Sequence, residues 1–316
     1  MTKRYGLIGA AGYIAPRHLT AIKDTGGVLD VAYDINDSVG IMDRHFPDAA
    51  FFTEFERFSA YVDAERRAGR GLDYIAICSP NYLHKSHMEF ALRSGADVIC
   101  EKPLVLNPSD LESLIELEAE TGKKVNSILQ LRLHKAIIDL KAEIEAGPAD
   151  KIHEVDLTYF TSRGAWYHAS WKGAEDRSGG IATNIGVHFY DMLAFMFGPL
   201  KKSVAHHRAD DVAAGYLEFE RARVRWILSV NRDHLPPHTP EGQTTYRSIT
   251  VDGKEIEFSA GFTDLHTDSY NHVLSGKGFG LDQVRPSIEL VSSLRTAELT
   301  PNEGEQHPML SGILAR

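Results

Sequence analysis

Along the first 130 residues, short apolar runs alternate with longer segments whose apolar positions recur at helical spacing. Residues 5–8, 29–33, 97–100 and 125–129 read as short strands, and 72–78 is a continuous apolar run of the kind buried on both faces of a parallel sheet. Helical segments separate them. One runs on through His18-Leu-Thr-Ala-Ile, a charged one covers residues 61–70, one ends near Gly95, and a long one covers 109–121, opened by Asn107-Pro-Ser-Asp and followed by Gly122. This alternation predicts α/β architecture, and it stops after a helix over 134–146 that Gly147-Pro148 ends. From Lys151 the pattern becomes that of strands, expected over 152–160, 204–208, 212–219, 223–230, 246–251 and 255–258, with Asp252-Gly253 as a hairpin turn between the last two. A very apolar helix from Ala182 to Phe197 and a terminal helix over 288–294 complete the expected elements. The boundaries that follow are 1–130 for the first domain and 131–316 for an α+β second domain with a mostly antiparallel sheet.

Composition narrows the class. The chain has 316 residues, 43% hydrophobic and 25% charged, which suits a globular protein large enough for two cores. No apolar run approaches the roughly 18 residues that span a bilayer. The start, Met1-Thr-Lys-Arg, turns directly into a strand without a cleavable apolar region, so a cytoplasmic location is expected. Cys78 and Cys100 end apolar runs and are expected to be buried, reduced thiols. A net charge of -10 argues against nucleic acid or an anionic membrane as partner. No set of histidines, cysteines and carboxylates stands at metal-ligand spacing, and no metal is expected.

The first apolar run leads straight into Gly9-Ala-Ala-Gly12-Tyr-Ile-Ala15 and then a helix. Gly9 permits a tight turn, Gly12 allows close backbone approach to a pyrophosphate, and the helix N-terminus faces the anion. Asp34 ends the second run about twenty residues on, where a carboxylate accepts from a ribose hydroxyl. No Arg or Lys follows it in Ile35-Asn36-Asp37-Ser38, so NAD is expected over NADP and the first domain reads as a Rossmann dinucleotide-binding domain. Ser79-Pro-Asn81 and His84 follow a further strand at the edge where ligands bind in open α/β sheets. Glu101-Lys102-Pro103 follows the next, with Pro103 a candidate cis proline that would aim Lys102 at the ligand.

In the second domain, Asn184 and His188 stand four apart and Asp191 three beyond, an expected polar face on an apolar helix. A core histidine satisfied by Asp191 is the plain explanation; the cofactor turn and the lysine elsewhere favour chemistry. Upstream lies an aromatic and basic segment containing Arg163, Trp166, Tyr167, Trp171 and Lys172.

Taken in order, Gly9-Ala-Ala-Gly12, Asp34, Ser79-Pro-Asn81, Glu101-Lys102-Pro103 and Asn184-Ile-Gly-Val-His188-Phe-Tyr-Asp191 resemble the Gfo/Idh/MocA oxidoreductases over almost the whole chain. Within the family the chain looks most like the UDP-N-acetyl-2-amino-2-deoxyglucuronate dehydrogenases, which oxidise the sugar 3-hydroxyl with NAD. The resemblance implies cofactor contacts from Gly9, Gly12, Tyr13, Ile14, Asp34, Asn36, Ser79, Asn81, His84, Glu101 and Lys102. It implies a UDP-sugar acid as substrate, in lipopolysaccharide and O-antigen sugar synthesis, with substrate contacts from Lys102, Asn184 and His188. The diphosphate and carboxylate of such a substrate need cations, for which Arg163 and Lys172 beside Trp166, Tyr167 and Trp171 are the candidates, the alternative being interface aromatics with solvated charges. Many members carry Asp where this chain has Asn184, which can hydrogen-bond substrate but not act as acid or base. His188 is assigned as general base, oriented by Asp191, and Lys102 as the group that stabilises the developing alkoxide, although the residues alone do not separate these two roles. The resemblance further implies reoxidation of NADH by a 2-oxo acid such as 2-oxoglutarate, and a homotetramer. The alternatives are a free-sugar or inositol dehydrogenase on the same fold, and a non-catalytic NAD-binding protein.

Overall fold

The computed structural model describes residues 2–256 and 264–315. The chain divides into two units, Met1–Gln130 with Thr263–Arg285, and Leu131–Phe262 with Pro286–Arg316. The stretch that carries the helix Leu265–Leu274, placed with the second domain by the sequence, thus belongs to the first.

The first unit is built on strands β1 (Arg4–Ile8), β2 (Val28–Tyr33), β3 (Ala50–Phe52), β4 (Tyr74–Ile77), β5 (Asp97–Cys100) and β6 (Val125–Ser127). They pair in parallel in the order β3-β2-β1-β4-β5-β6, the doubly wound arrangement whose direction reverses between β1 and β4. Tyr5, Leu7, Ala32, Ala76 and Ile99 are buried, because helices cover a parallel sheet on both faces. Two helices follow the sequence pattern closely, Ser109–Thr121 with left-handed Gly122 as its stop, and His84–Arg93. The helix Leu265–Leu274 packs against Ala15–Asp24, the helix that follows the glycine turn.

The second unit holds strands β7 (His153–Thr161), β8 (Leu200–Arg208), β9 (Val212–Phe219), β10 (Ala222–Ser229), β11 (Thr245–Val251) and β12 (Lys254–Glu255), in the order β12-β11-β7-β10-β9-β8. The expected antiparallel pairing holds for the described pairs except β7 with β10, which run parallel. The strand expected over 255–258 ends at Glu255, Ile256 follows outside it, and residues 257 and 258 lie outside the described residues. The terminal helix is longer than its apolar pattern, Leu281–Thr296, and runs through Pro286.

The expected single helix to Phe197 is two. Gly180–Asn184 ends at Ile185-Gly186, and Val187–Phe197 begins after it. A Cβ on Gly186 would lie 2.5 Å from the Ala182 carbonyl oxygen and 2.8 Å from Leu228, so close packing on β10 accounts for the glycine at the break.

Candidate active site

At the end of β1, Gly9 has φ +93° and a Cβ there would fall 2.6 Å from the Cys78 carbonyl carbon. Only glycine fits where this turn crosses the end of β4. Gly12 is nearly as confined, 3.0 Å from the Gly9 carbonyl oxygen. The helix Ala15–Asp24 that follows has no acidic residue in its first turn and no capping side chain. Nothing of its own thus competes with an anion at its positive end, and the turn fits a dinucleotide pyrophosphate. Tyr13 is 88% exposed and Ile14 is the helix N-cap, so both stand at the tip of this turn.

The Asp34 carboxylate is more deeply engaged than its sequence position suggests. Its Oδ2 accepts the Ala11 N–H at 2.9 Å and its Oδ1 accepts the Asn36 N–H at 2.9 Å, with the Asn36 amide at 3.4 Å. Asp34 therefore fastens the glycine turn while presenting its negative charge beside it.

Ser79 and Asn81 are buried at the end of β4. The Ser79 hydroxyl lies 2.8 Å from His87 Nδ1. His84, expected at the cofactor, braces two loops: its ring nitrogens lie 2.8 Å from the Pro103 carbonyl and 2.8 Å from the Ser79 carbonyl. Burial lowers its pKa against the pull of these carbonyls. The ring joins the loop after β4 to the loop after β5, where the Lys102-Pro103 bond is cis and Lys102 is half-buried.

Glu101, also expected at the cofactor, turns inward. Its Oε1 meets His18 Nε2 at 3.0 Å and His266 Nε2 at 2.8 Å, all three side chains buried. Burial alone would raise its carboxyl pKa, but these hydrogen bonds outweigh burial and hold it well below the usual carboxylate range. No sequence signal pairs Glu101 with His266, 165 positions away.

In the second unit, the segment after β7 folds into a short helix, Ala165–Ala169, and then Glu175–Ser178. Tyr167 is buried and its hydroxyl accepts from the Asn184 amide at 3.2 Å. The Lys172 ammonium sits 3.7 Å from the centre of the Trp171 ring, a cation–π contact. Trp166 is 55% exposed and Arg163 is exposed. Tyr167 and Lys172 line a cavity of about 150 Å³ whose wall also includes Trp226, Arg208 and Arg295.

His188 is half-buried on Val187–Phe197 and its ring packs on Phe189 at 4.2 Å. Asp191 does not serve it as expected. Its carboxylate takes a bidentate pair from Arg132, Nε to Oδ2 at 2.8 Å and Nη2 to Oδ1 at 2.7 Å. Burial pushes the Asp191 carboxyl up and the guanidinium pulls it back. Arg132, 59 positions earlier, carried no sequence signal as its partner.

Among the described residues, His18, Glu101 and His266 form a His/Glu group compact enough for a metal, with ligand atoms within 4.8 Å of one another. Both histidine contacts are already hydrogen bonds of ordinary length to one carboxylate oxygen.

Residues 3–128 match the Gfo/Idh/MocA N-terminal domain, described as oxidoreductase family, NAD-binding Rossmann fold, and residues 141–309 match the family's C-terminal alpha/beta domain. The chain is similar to the WlbA (WbpB) dehydrogenase from Thermus thermophilus, solved in complex with NAD and UDP-GlcNAcA, at 49% identity over 98% of this chain and 100% of that one, with a TM-score of 0.93. A second structure of that enzyme, with NAD and alpha-ketoglutarate, gives 50% identity over the same shares and a TM-score of 0.94. Among curated proteins, inositol 2-dehydrogenase from Rhizobium meliloti is 28% identical over 65% of this chain and 58% of its own length. The chain thus spans less than two thirds of that relative's length. With both domain matches in place, the chain belongs to the Gfo/Idh/MocA oxidoreductase family, an NAD-binding Rossmann domain joined to a C-terminal alpha/beta domain.

Proposed function

We propose that the chain is an NAD-dependent dehydrogenase that oxidises the 3-hydroxyl of UDP-N-acetyl-D-glucosaminuronate to the 3-keto sugar nucleotide. The observation that carries this reading is 49% identity, along 98% of the chain, to a dehydrogenase solved with NAD and UDP-GlcNAcA. NAD, when bound, supplies the acceptor for the hydride that leaves C3. The glycine turn, Asp34 and Asn36, and the loops carrying Ser79, Asn81 and Lys102 are the residues that hold it. His188 is assigned as the general base for the 3-hydroxyl proton, and Lys102 as the group that stabilises the developing alkoxide. One hydride and one proton thus leave the alcohol and a ketone remains.

Asn184, steadied by Tyr167, hydrogen-bonds the sugar. Arg163 and Lys172 take the substrate's anionic groups; the cavity that Lys172 lines carries three basic residues, with Arg208 and Arg295, against two acidic ones, Glu175 and Asp210. The alpha-ketoglutarate complex of the Thermus thermophilus enzyme supports 2-oxoglutarate as the oxidant that regenerates NAD. A cytoplasmic homotetramer supplying lipopolysaccharide and O-antigen sugar synthesis completes the proposal. Inositol 2-dehydrogenase, at 28% identity, favours the second reading, a free polyol or sugar as substrate.

A panel of UDP-sugars, free sugars and inositols, with and without 2-oxoglutarate, followed by product mass, tests the choice. Loss of two mass units from the UDP-sugar acid is expected, with UDP-N-acetylglucosamine poorer by about ten- to a hundredfold for want of one charge-assisted contact. Equal turnover of inositol or a free aldose would overturn it.

A further inference from the structure

The buried cluster around Glu101 forms a chain of donors and acceptors that runs from His266 through Glu101 and His18 to Tyr270. A neutral imidazole has one N–H, and both His18 and His266 point Nε2 at the same carboxylate oxygen. With the proton on Nε2, His18 Nδ1 is an acceptor, and the Tyr270 hydroxyl stands 2.8 Å from it. An ionised carboxylate only accepts, so Glu101 draws the His18 proton to Nε2, and the Tyr270 hydroxyl supports that tautomer by donating to Nδ1. Its ring is buried against those of His18 and Tyr5.

The four residues come from three places that the function needs to hold together. His18 lies in the helix that opens from the glycine turn. Glu101 directly precedes Lys102, whose own N–H lies 3.3 Å from Glu101 Oε2. His266 and Tyr270 share one face of Leu265–Leu274, four positions apart. One carboxylate oxygen takes both imidazole donors, and the other faces the start of the Lys102 turn. If a donor is lost, a buried carboxylate is left short of the bonds that keep it ionised, and it must rotate or take a proton. Either change reaches Lys102 through one peptide bond.

We propose that His266, acting through Glu101, and Tyr270, acting through His18, are positioning residues for Lys102. The proposal rests on the reading of Lys102 as a catalytic residue. His266→Leu removes the donor and keeps most of the volume, and His266→Gln returns an N–H at comparable reach. For both, with Tyr270→Phe and Lys102→Met alongside, the measurements are kcat for NADH formation from UDP-GlcNAcA and the Kd for NAD. His266→Leu is expected to lower kcat by about ten- to a hundredfold, with the Kd for NAD within about twofold and most of the loss recovered in His266→Gln. Tyr270→Phe is expected to lose less, in the same direction. Equal losses in His266→Leu and His266→Gln, or a Kd for NAD that rises in step with the fall in kcat, would overturn the proposal, since packing alone would then account for the cluster. Full activity in Lys102→Met would instead overturn the reading of Lys102; an inactive Lys102→Met beside a fully active His266→Leu would overturn only the positioning role. A readout independent of turnover is the NMR signal of 13C-dimethylated Lys102, assigned by its absence from Lys102→Arg. It is expected to move in His266→Leu and return in His266→Gln, and an unmoved signal contradicts the proposal whichever sugar is the substrate. Should His266→Leu not fold, Tyr270→Phe carries the same two readouts.

Discussion

In the proposed reaction Lys102 and His188 take the two polar roles that alcohol oxidation demands, and each is open to a clean substitution. Lys102→Met and His188→Asn are each expected to lower kcat by about two to three orders of magnitude, and His188→Asn to leave the Kd for NAD within about twofold. Steady-state kinetics with a binding titration checks this, and retained turnover in either variant would remove that residue from the chemistry. Asp34 holds the Ala11 N–H, and in the proposed function its carboxylate also repels a 2'-phosphate. Asp34→Ala is expected to raise the Kd for NAD by about tenfold or more and to narrow the preference over NADP; tighter NADP than NAD binding by the unaltered protein would contradict this. Individual residues were legible where chemistry is local. Gly9, Asp34 and Lys102 stand at strand ends that the apolar runs mark by themselves. The partners of Glu101 and Asp191 were not legible, because His266 and Arg132 reach them only through tertiary packing across 165 and 59 positions.

At the scale of elements, the parallel sheet could be read almost strand for strand, since strands buried on both faces are continuous apolar runs with no competing pattern. The break at Ile185-Gly186 could not be read, because every residue from Ile181 to Asn184 and from Val187 to Phe197 sustains a helical pattern and the interruption answers to Leu228 on a distant strand. Likewise the parallel pairing of β7 with β10 leaves no mark on either strand's alternation. The glycine turn gives a sharp test. Gly9→Ala places a Cβ 2.6 Å from the Cys78 backbone at φ +93°. That variant is expected to lose measurable NAD binding and to melt well below the unaltered protein, by the several kcal/mol that a backbone clash in a left-handed conformation costs. Unchanged NAD affinity in a folded Gly9→Ala would show that the turn does not hold the cofactor.

For the molecule as a whole, buried histidines set the acid limit. Burial lowers the pKa of His87 in the first unit and of His307 in the second to about 4, from the ordinary 6.5. Between those values the unfolded chain binds more protons than the folded one, so stability is full above about pH 6.5 and falls as pH drops toward 4, by at most about 3 kcal/mol per histidine. Glu101, whose folded pKa is depressed, adds stability that is kept above its unfolded value near 4.3 and is lost only in more acidic solution. Urea midpoints near pH 7.5, 5.5 and 4.5 are expected to fall progressively, and a flat series would contradict the burial of these rings as neutral bases. Among the described residues no helix is long and apolar enough to cross a membrane. Sedimentation at micromolar concentration is expected to give a tetramer, and a monomer there would remove that part of the proposal. The proposed oxidation breaks one C–H bond, at C3 of the sugar. UDP-N-acetyl-D-glucosaminuronate carrying deuterium at C3, incubated with the protein and NAD, is expected to yield deuterated NADH and an unlabelled 3-keto sugar nucleotide. Unlabelled NADH, or product that keeps its deuterium, would contradict the account.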